Sequence, residues 1–150
     1  MALKKEIELK LIKHLEFLSE ELQDYELFEA LTWEEYNTDR NKRRNVERWI
    51  ENIVNSSIDI AKLILTAEAL KLPDTYREMV SSLALVTGFP KDLMERLSKW
   101  VRLRNIITHE YIDLKWAAIK KFKSETKADY LAYLDLSQKY LERKHHEHHS

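Results

Sequence analysis

The chain has 150 residues and a formal net charge of −1, and it contains one glycine, two prolines and no cysteine. Without cysteine it forms no disulfide and carries no thiolate chemistry, and the nearly balanced charge argues against a protein that coats DNA nonspecifically. So few turn residues among so many Leu, Ile, Lys and Glu predict a single all-α domain over residues 1–150.

No targeting or membrane segment is visible in the chain. The first residues, MALKKEIELK, contain no apolar stretch of the kind found in secretory signals. No run of about eighteen apolar residues occurs anywhere, so we expect no membrane span. The sequence therefore predicts a cytoplasmic protein.

The first half of the chain predicts two long helices with a short one between them. Apolar side chains recur every three or four residues from about Ala2 to Ala30, which is the helical period. The segment Thr32–Glu35 has the sequence of a capping box, so a short helix is expected to begin there. Residues 37–45 are polar and basic, and they form either a loop or the start of the helix whose apolar stripe extends from Val46 to about Leu70.

The next helix is expected to begin at Pro73-Asp74 and to end at Gly88, a plausible C-terminal cap. Its apolar side chains are predicted to face inward: Tyr76, Met79, Val80, Leu83 and Leu85. Pro90 suits the first position of a fourth helix, where the missing N–H costs nothing.

That fourth helix is expected to continue through Leu93, Leu97, Trp100, Val101 and Leu103. Asp113 is expected to cap a fifth helix that extends to about Leu141. Together these signals predict an antiparallel bundle of about five helices with short connections.

Residues 104–111, Arg-Asn-Ile-Ile-Thr-His-Glu-Tyr, carry the most informative chemistry in the chain. Arginine holds a phosphate through a planar fork of donors, and histidine gives and takes protons at physiological pH. Because the 2′-OH of RNA is itself the nucleophile, Arg104 and His109 are sufficient in principle to cleave RNA without a metal. Such a reaction leaves a 2′,3′-cyclic phosphate.

The spacing of these residues also raises a geometric problem. At 100° per residue, Arg104 and His109 lie about 140° apart around an ideal helix, and His109 and Tyr111 about 200° apart. One straight helix therefore cannot direct all three side chains at one phosphate. Either the helix ends near Thr108, or a second copy of the chain completes the site across a two-fold axis.

The motif R-N-x-x-x-H-x-Y resembles that of HEPN-domain ribonuclease toxins of the HepT family. Flanking segments resemble the same family in order and spacing, and the likeness extends over about residues 36–114. These segments are Val46–Ile53, Ser57–Ala61, Pro73–Glu78 and Gly88–Pro90.

The resemblance implies the toxin of a two-gene toxin–antitoxin pair. Its RNase site would consist of Arg104 and His109, with Asn105 as the polar residue that follows the motif arginine. The partner would be a small nucleotidyltransferase of the MntA type, which silences the toxin by transferring AMP to Tyr111. The family also implies a C2 homodimer whose paired motifs line one cleft, and it implies no cofactor or metal.

Other polar residues have weaker functional readings. The densest basic cluster includes Arg40, Arg43 and Arg44, which could contact RNA phosphates, although most such clusters are solvated faces. The four tryptophans are expected to pack in the core. The histidine-rich tail, residues 144–150, is expected to be a frayed terminus with at most adventitious metal binding.

Two other functions remain open at this stage. In one, the chain is a non-catalytic helical module that binds a nucleotidyltransferase and presents Tyr111 to it. In the other, it is a structural dimer in which Arg104 and His109 only satisfy a polar interface. Replacing His109 abolishes activity only if the chain is the ribonuclease.

Overall fold

A computed structural model of the chain describes residues 3–149, with side chains as far as Glu147. Within that range the chain forms nine α-helices and two 3-10 turns and no β-strand. The all-α prediction is confirmed, but the expected number of about five helices is too low, because three of the predicted helices are divided. The helices are α1 (Lys5–Leu22), α2 (Tyr25–Glu29), α3 (Trp33–Thr38), α4 (Arg40–Ala67), α5 (Tyr76–Ser81), α6 (Lys91–Lys99), α7 (Leu103–His109), α8 (Ile112–Glu125) and α9 (Lys127–His149).

The predicted first helix is broken at residues 23–24, and its expected start at Ala2 lies outside the described residues. Side chains from elsewhere donate to backbone carbonyls near the ends of α1 and α2. The indole Nε1 of Trp49 donates to the Glu21 carbonyl at 2.7 Å. The buried Lys123 donates to the carbonyls of Phe28 and Leu31 at 2.9 and 3.1 Å, and burial lowers the pKa of its ammonium group.

The capping box at Thr32 and Glu35 is present as predicted, and it starts α3. The Asp39 carboxylate then accepts hydrogen bonds from the Asn41 and Lys42 amides at 3.0 and 3.1 Å. The basic segment 37–45 therefore contains the end of α3 and the start of α4, which begins at Arg40, six residues before the first residue of its apolar stripe.

Helix α4 is the central element of the bundle. Helix α1 packs against both α4 and α9, and α5 and α7 also contact α4. Large buried aromatic rings fill the space between them, and Trp49 contacts Tyr25, Phe28 and Phe122 with centroids 4.7–5.7 Å apart. The tryptophans pack against other rings, since Trp33 and Trp116 lie against Tyr36, and Trp100 meets Phe122 edge-on. Trp33 is nevertheless 39% exposed, so the expected core position is wrong for that residue.

The segment between α4 and α6 differs from the prediction in several details. Met79, Val80 and Leu83 are buried as expected, but Tyr76, the first residue of α5, is 43% exposed. Leu85 is 76% exposed, at the end of a 3-10 turn over Ser82–Leu85. The 3-10 turn has already ended at Leu85, so Gly88 caps no helix. Its φ of +100° instead closes the turn from Val86 to Phe89.

Helix boundaries in the second half also shift. Pro90 precedes the first helical residue of α6, and the predicted fourth helix is interrupted by a 3-10 turn at Trp100–Arg102. Asp113 lies in the first turn of α8, whose N-cap is Tyr111. The predicted fifth helix is divided at Thr126, whose hydroxyl lies 2.6 Å from that of Tyr25.

The C-terminal segment is helical and not frayed, since α9 extends to His149. Lys144 Nζ lies 3.3 Å from the Glu68 carboxylate, and His145 Nδ1 lies 2.8 Å from Glu8. The side chains of His148 and His149, and all of Ser150, lie outside the described residues. Among residues 3–149, no helix combines the length and apolar character needed to cross a membrane.

Candidate functional site

Helix α7 carries the motif, and its two faces differ sharply. Leu103 and Ile107, one turn apart, are buried, whereas Asn105 and His109, also one turn apart, are exposed. The 3-10 turn before α7 produces this orientation. Each residue of a 3-10 helix advances 120° around the helix axis, whereas each residue of an α-helix advances 100°. The three residues of the 3-10 turn therefore bring Leu103 about 60° closer to the core-facing direction of Leu97. The polar motif residues are thereby left on the outer side of α7.

The end of α7 changes the direction of Tyr111 but not of Arg104 and His109, which both lie within the helix. The helix stops at His109, and Glu110 is extended with φ −87° and ψ 164°. Tyr111 is extended as well, so its position no longer follows the helical rotation, and its side chain is 80% exposed. The predicted helix end close to Thr108 is therefore confirmed. The two-fold dimer remains a prediction.

Arg104 is half-buried, and its guanidinium lies over an aromatic ring. The Arg104 Cζ atom is 4.7 Å from the centroid of Tyr76, at the start of α5. A second cation uses the same ring, since Lys62 Nζ of α4 is 5.0 Å from that centroid. Within residues 3–149 neither cation forms an ion pair with a carboxylate. Sequence reasoning missed both neighbours, because the apolar pattern placed Tyr76 in the core.

The remaining motif side chains are accessible. His109 is exposed and makes no hydrogen bond or ion pair with another residue in the described part of the chain. The Thr108 hydroxyl is used by the backbone, because it donates to the Arg104 carbonyl at 2.7 Å. No contact of this kind joins Arg104, His109 and Tyr111 to one another within residues 3–149. One protomer therefore presents the three groups around one helix end without assembling them.

The basic cluster at the start of α4 divides into structural and free cations. Arg43 donates to the carbonyls of Tyr36 and Asn37 at 3.0 and 2.8 Å, so it holds the end of α3. Lys42 pairs with Glu35. Arg40 and Arg44 are exposed and form no ion pair among the described residues.

Arg40 and Arg44 lie on the stripe of α4 that also carries Glu47, since three, four and seven residues return to one helical face. The Glu47 carboxylate is 3.9 Å from Lys115, whose amide donates to the Tyr111 carbonyl one turn earlier. The two free arginines are therefore on the stripe of α4 whose Glu47 faces the beginning of α8.

A separate groove of about 930 Å³ lies on the other side of α7. Leu103 and Ile106 form part of its wall, and its cations are Arg77, Arg96, Lys99, Arg102 and Lys121. Arg96 makes a bidentate pair with Asp129 at 3.0 and 3.1 Å. This groove does not include Arg104, His109 or Tyr111. Across residues 3–149, no group of three or more His, Asp or Glu residues is arranged to hold a metal ion.

Known proteins resemble the chain in family and in fold. A family model described as ribonuclease HepT-like matches residues 18–137. No curated protein sequence matches the chain significantly.

Three solved structures share the fold at low sequence identity. A toxin–antitoxin MntA–HepT mutant is 19% identical, with a TM-score of 0.74 over 85% of this chain and 96% of that one. The tri-AMPylated HEPN toxin of Shewanella oneidensis, in complex with an MNT antitoxin, is 21% identical, with a TM-score of 0.69 over 90% and 98% of the two chains. A toxin–antitoxin with AMP-PNP is 20% identical, with a TM-score of 0.70 over 89% and 98%.

Proposed function

The chain belongs to the HepT-like ribonuclease family, and on that premise we propose that it is the toxin of a toxin–antitoxin pair. In this proposal it is a cytoplasmic, metal-independent endoribonuclease, and a partner nucleotidyltransferase silences it by attaching AMP to Tyr111. One observation carries the proposal. The end of α7 exposes a histidine and a tyrosine beside an arginine that no carboxylate of the described chain neutralises.

The cleavage step needs only these side chains and the RNA itself. The 2′ oxygen attacks the adjacent phosphorus while the bond from phosphorus to the 5′ oxygen breaks. The products are a 2′,3′-cyclic phosphate and a free 5′-OH. His109 accepts the 2′ proton or protonates the departing 5′ oxygen. Arg104 neutralises the charge that builds up on the phosphoryl oxygens.

A two-fold dimer completes the site in this account. A single protomer supplies one histidine, whereas the reaction uses a base at the 2′ oxygen and an acid at the 5′ oxygen. A C2 interface places the same helix end of both protomers side by side. Each of the two His109 side chains then performs one of the two tasks. Arg40 and Arg44 of α4 would contact neighbouring RNA phosphates.

Silencing through Tyr111 follows from its position. The phenol is 80% exposed and lies two residues after His109, so a nucleotidyltransferase can reach it. AMP on this oxygen adds an adenosine and a negatively charged phosphodiester beside the catalytic groups. The new charge repels the RNA backbone and offers Arg104 a competing phosphate. A relative of the same fold carries AMP groups in complex with its MNT antitoxin, which supports the assignment.

RNA cleavage by unmodified protein in excess EDTA tests the catalytic part. We expect the parent to cleave and His109→Ala to lose about 10²–10⁴-fold in rate, as for other general acid–base residues. Arg104→Ala should lose activity to a similar degree. His146→Ala is the matched control, because His146 is exposed and lies on α9, outside the motif. If His109→Ala cleaves as fast as His146→Ala, the proposed chemistry is wrong.

Intact mass after incubation with ATP and an MntA-type nucleotidyltransferase tests the modification. The parent should gain AMP and stop cleaving RNA, and Tyr111→Phe should remain unmodified and active. Tyr76→Phe is the control, since Tyr76 is the other exposed tyrosine of the described chain. AMP on Tyr111→Phe would place the modification elsewhere.

A second function is favoured by the surface around Tyr111. Leu114, one turn further along, is 52% exposed, so the two side chains form a small apolar patch suited to a protein partner. In this alternative the chain is a non-catalytic module that binds a nucleotidyltransferase. It predicts that Tyr111→Ala and Leu114→Ala weaken the complex, while bare parent protein leaves RNA intact.

A further inference from the structure

Two residues outside the motif lie against the motif arginine, and we propose that they are part of the RNA site. Tyr76 is a positioning residue that holds the Arg104 guanidinium, and Lys62 is a second cation for the same phosphate group of the substrate. This inference rests on the proposed ribonuclease function and assigns roles to side chains of α4 and α5 that the motif does not include.

The local structure fixes the ring of Tyr76. The Thr75 hydroxyl caps α5 by accepting a hydrogen bond from the Glu78 amide at 3.1 Å, so Tyr76 is the first residue of a defined helix. Its side chain is 43% exposed, and its hydroxyl makes no hydrogen bond within residues 3–149. An exposed ring with an unused hydroxyl contributes little to the core. Its face, however, contacts both cations.

The stacked geometry keeps Arg104 available for a ligand. The face of the guanidinium is attracted to the aromatic ring below it. The N–H donors point outward from the edge of the guanidinium group, in its own plane. A carboxylate partner would occupy those donors, whereas the ring leaves the fork free for a phosphate. The ring also restricts the rotamers of a long side chain before RNA binds. Tyr76 thus orients Arg104 without competing with the substrate.

The charge balance indicates an anion at this place. Arg104 and Lys62 are both half-buried, and each lies within 5.0 Å of one ring centroid. Neither is paired with a carboxylate in the described chain, and two like charges in partial burial repel each other. A phosphodiester that contacts both cations would offset the repulsion and use both sets of donors. The class of ligand that this geometry fits is the RNA backbone next to the cleaved bond.

Replacements of Tyr76 test the positioning role. Tyr76→Phe keeps the ring and should retain parental kcat, whereas Tyr76→Leu should lower kcat about tenfold with little change in KM. An independent readout is the NMR shift of the Arg104 Hδ protons, which the ring current should move upfield. We expect that shift in the parent and in Tyr76→Phe, and its loss in Tyr76→Leu. An unchanged Arg104 shift and kcat in Tyr76→Leu would overturn the assignment.

The salt dependence of RNA binding tests Lys62. With a 2′-O-methyl RNA that cannot be cleaved, Lys62→Gln should reduce the slope of log affinity against log salt by about 0.7, the loss of one phosphate contact. Lys62→Arg should restore it. Lys13→Gln is the control, because Lys13 is exposed on α1 and lies outside the site. Equal salt slopes for the parent and Lys62→Gln would show that Lys62 does not contact an RNA phosphate.

The failures of this inference and of the proposed function are distinguishable. If Arg104→Ala is inactive while Tyr76→Leu and Lys62→Gln match the parent, the ribonuclease stands and the inference is wrong. If the unmodified parent itself leaves RNA intact, the ribonuclease assignment is wrong. In that case the NMR shift and the salt slope still report whether Tyr76 holds Arg104 and whether Lys62 binds RNA.

Discussion

At the scale of single residues, the partners of each guanidinium determine what an arginine does in this chain. Arg43 is held by two backbone carbonyls, and Arg96 is held by a bidentate carboxylate. Arg104 lies over a ring and keeps its donors free. Arg40 and Arg44 are exposed without an ion pair in the described residues. Arg104 is therefore the one of these that combines partial burial with free donors.

The neighbours Arg43 and Arg44 should respond differently to replacement by alanine. Arg43→Ala should lower the free energy of unfolding by about 1–2 kcal/mol, because two charge-assisted hydrogen bonds to the end of α3 are lost. Arg44→Ala should leave stability within about 0.5 kcal/mol and weaken RNA binding instead. Urea denaturation and an RNA-binding assay measure the two effects. Equal losses of stability in both variants would contradict the structural role of Arg43.

Sequence reasoning selected Arg104, His109 and Tyr111 as candidates because their chemistry is visible in the residue types. It could not separate Arg43 from Arg44, since the difference depends on which carbonyls α3 brings into reach. It also missed Tyr76 and Lys62. Their relation to Arg104 arises only when α4, α5 and α7 pack together.

At the scale of elements, local chemistry predicted helix starts better than helix lengths. The capping box of Thr32 and Glu35 depends on neighbours in sequence, so it could be predicted. The breaks at residues 23–24 and at Thr126 depend on distant side chains, such as the indole of Trp49 at the end of α1. A continuous apolar stripe therefore predicted one helix where tertiary contacts produce two.

The turn before α6 gives a test at this scale. Gly88 has a φ of +100°, and a Cβ atom there would lie 3.0 Å from the Arg143 guanidinium. Gly88→Ala should lower the free energy of unfolding by about 1–3 kcal/mol, chiefly through backbone strain. Thr87→Ala, at the adjacent exposed position, is the control and should have a much smaller effect. Chemical denaturation that finds the two variants equal would show that the turn tolerates a side chain.

At the scale of the whole molecule, buried tyrosines make the fold sensitive to alkali. Burial is the largest cause that raises the pKa of five tyrosines above the ordinary 10.0: Tyr25, Tyr36, Tyr130, Tyr133 and Tyr140. Below that value both the folded and the unfolded state are neutral at these groups. Above it the unfolded chain loses protons first, so stability should fall as pH rises.

Absorbance at 295 nm and far-UV circular dichroism, followed together from pH 8 to pH 13, measure this effect. The buried tyrosines should ionise only as helicity is lost, in one cooperative transition that begins above about pH 10. Ionisation of all seven tyrosines while the helical signal stays intact would contradict the packing described for the five.

The dimer gives a second test at this scale. If both His109 side chains serve one cleft, a purified heterodimer of parent and His109→Ala should have only residual activity. Independent sites would leave about half of the parental rate, since one protomer remains intact. Two different affinity tags isolate the heterodimer, and a doubly tagged parental dimer is the control. A chain that stays at 18.0 kDa in light scattering would exclude the shared cleft.

The measurement that tests the central claim most directly is mass spectrometry of the RNA ends left by unmodified protein in excess EDTA. The account predicts a 2′,3′-cyclic phosphate on one fragment and a 5′-OH on the other, both absent with His109→Ala. Ends carrying a 3′-OH and a 5′-phosphate would contradict it, because attack would then come from water and not from the 2′ oxygen. Cleavage that requires added Mg²⁺ would contradict the metal-independent mechanism.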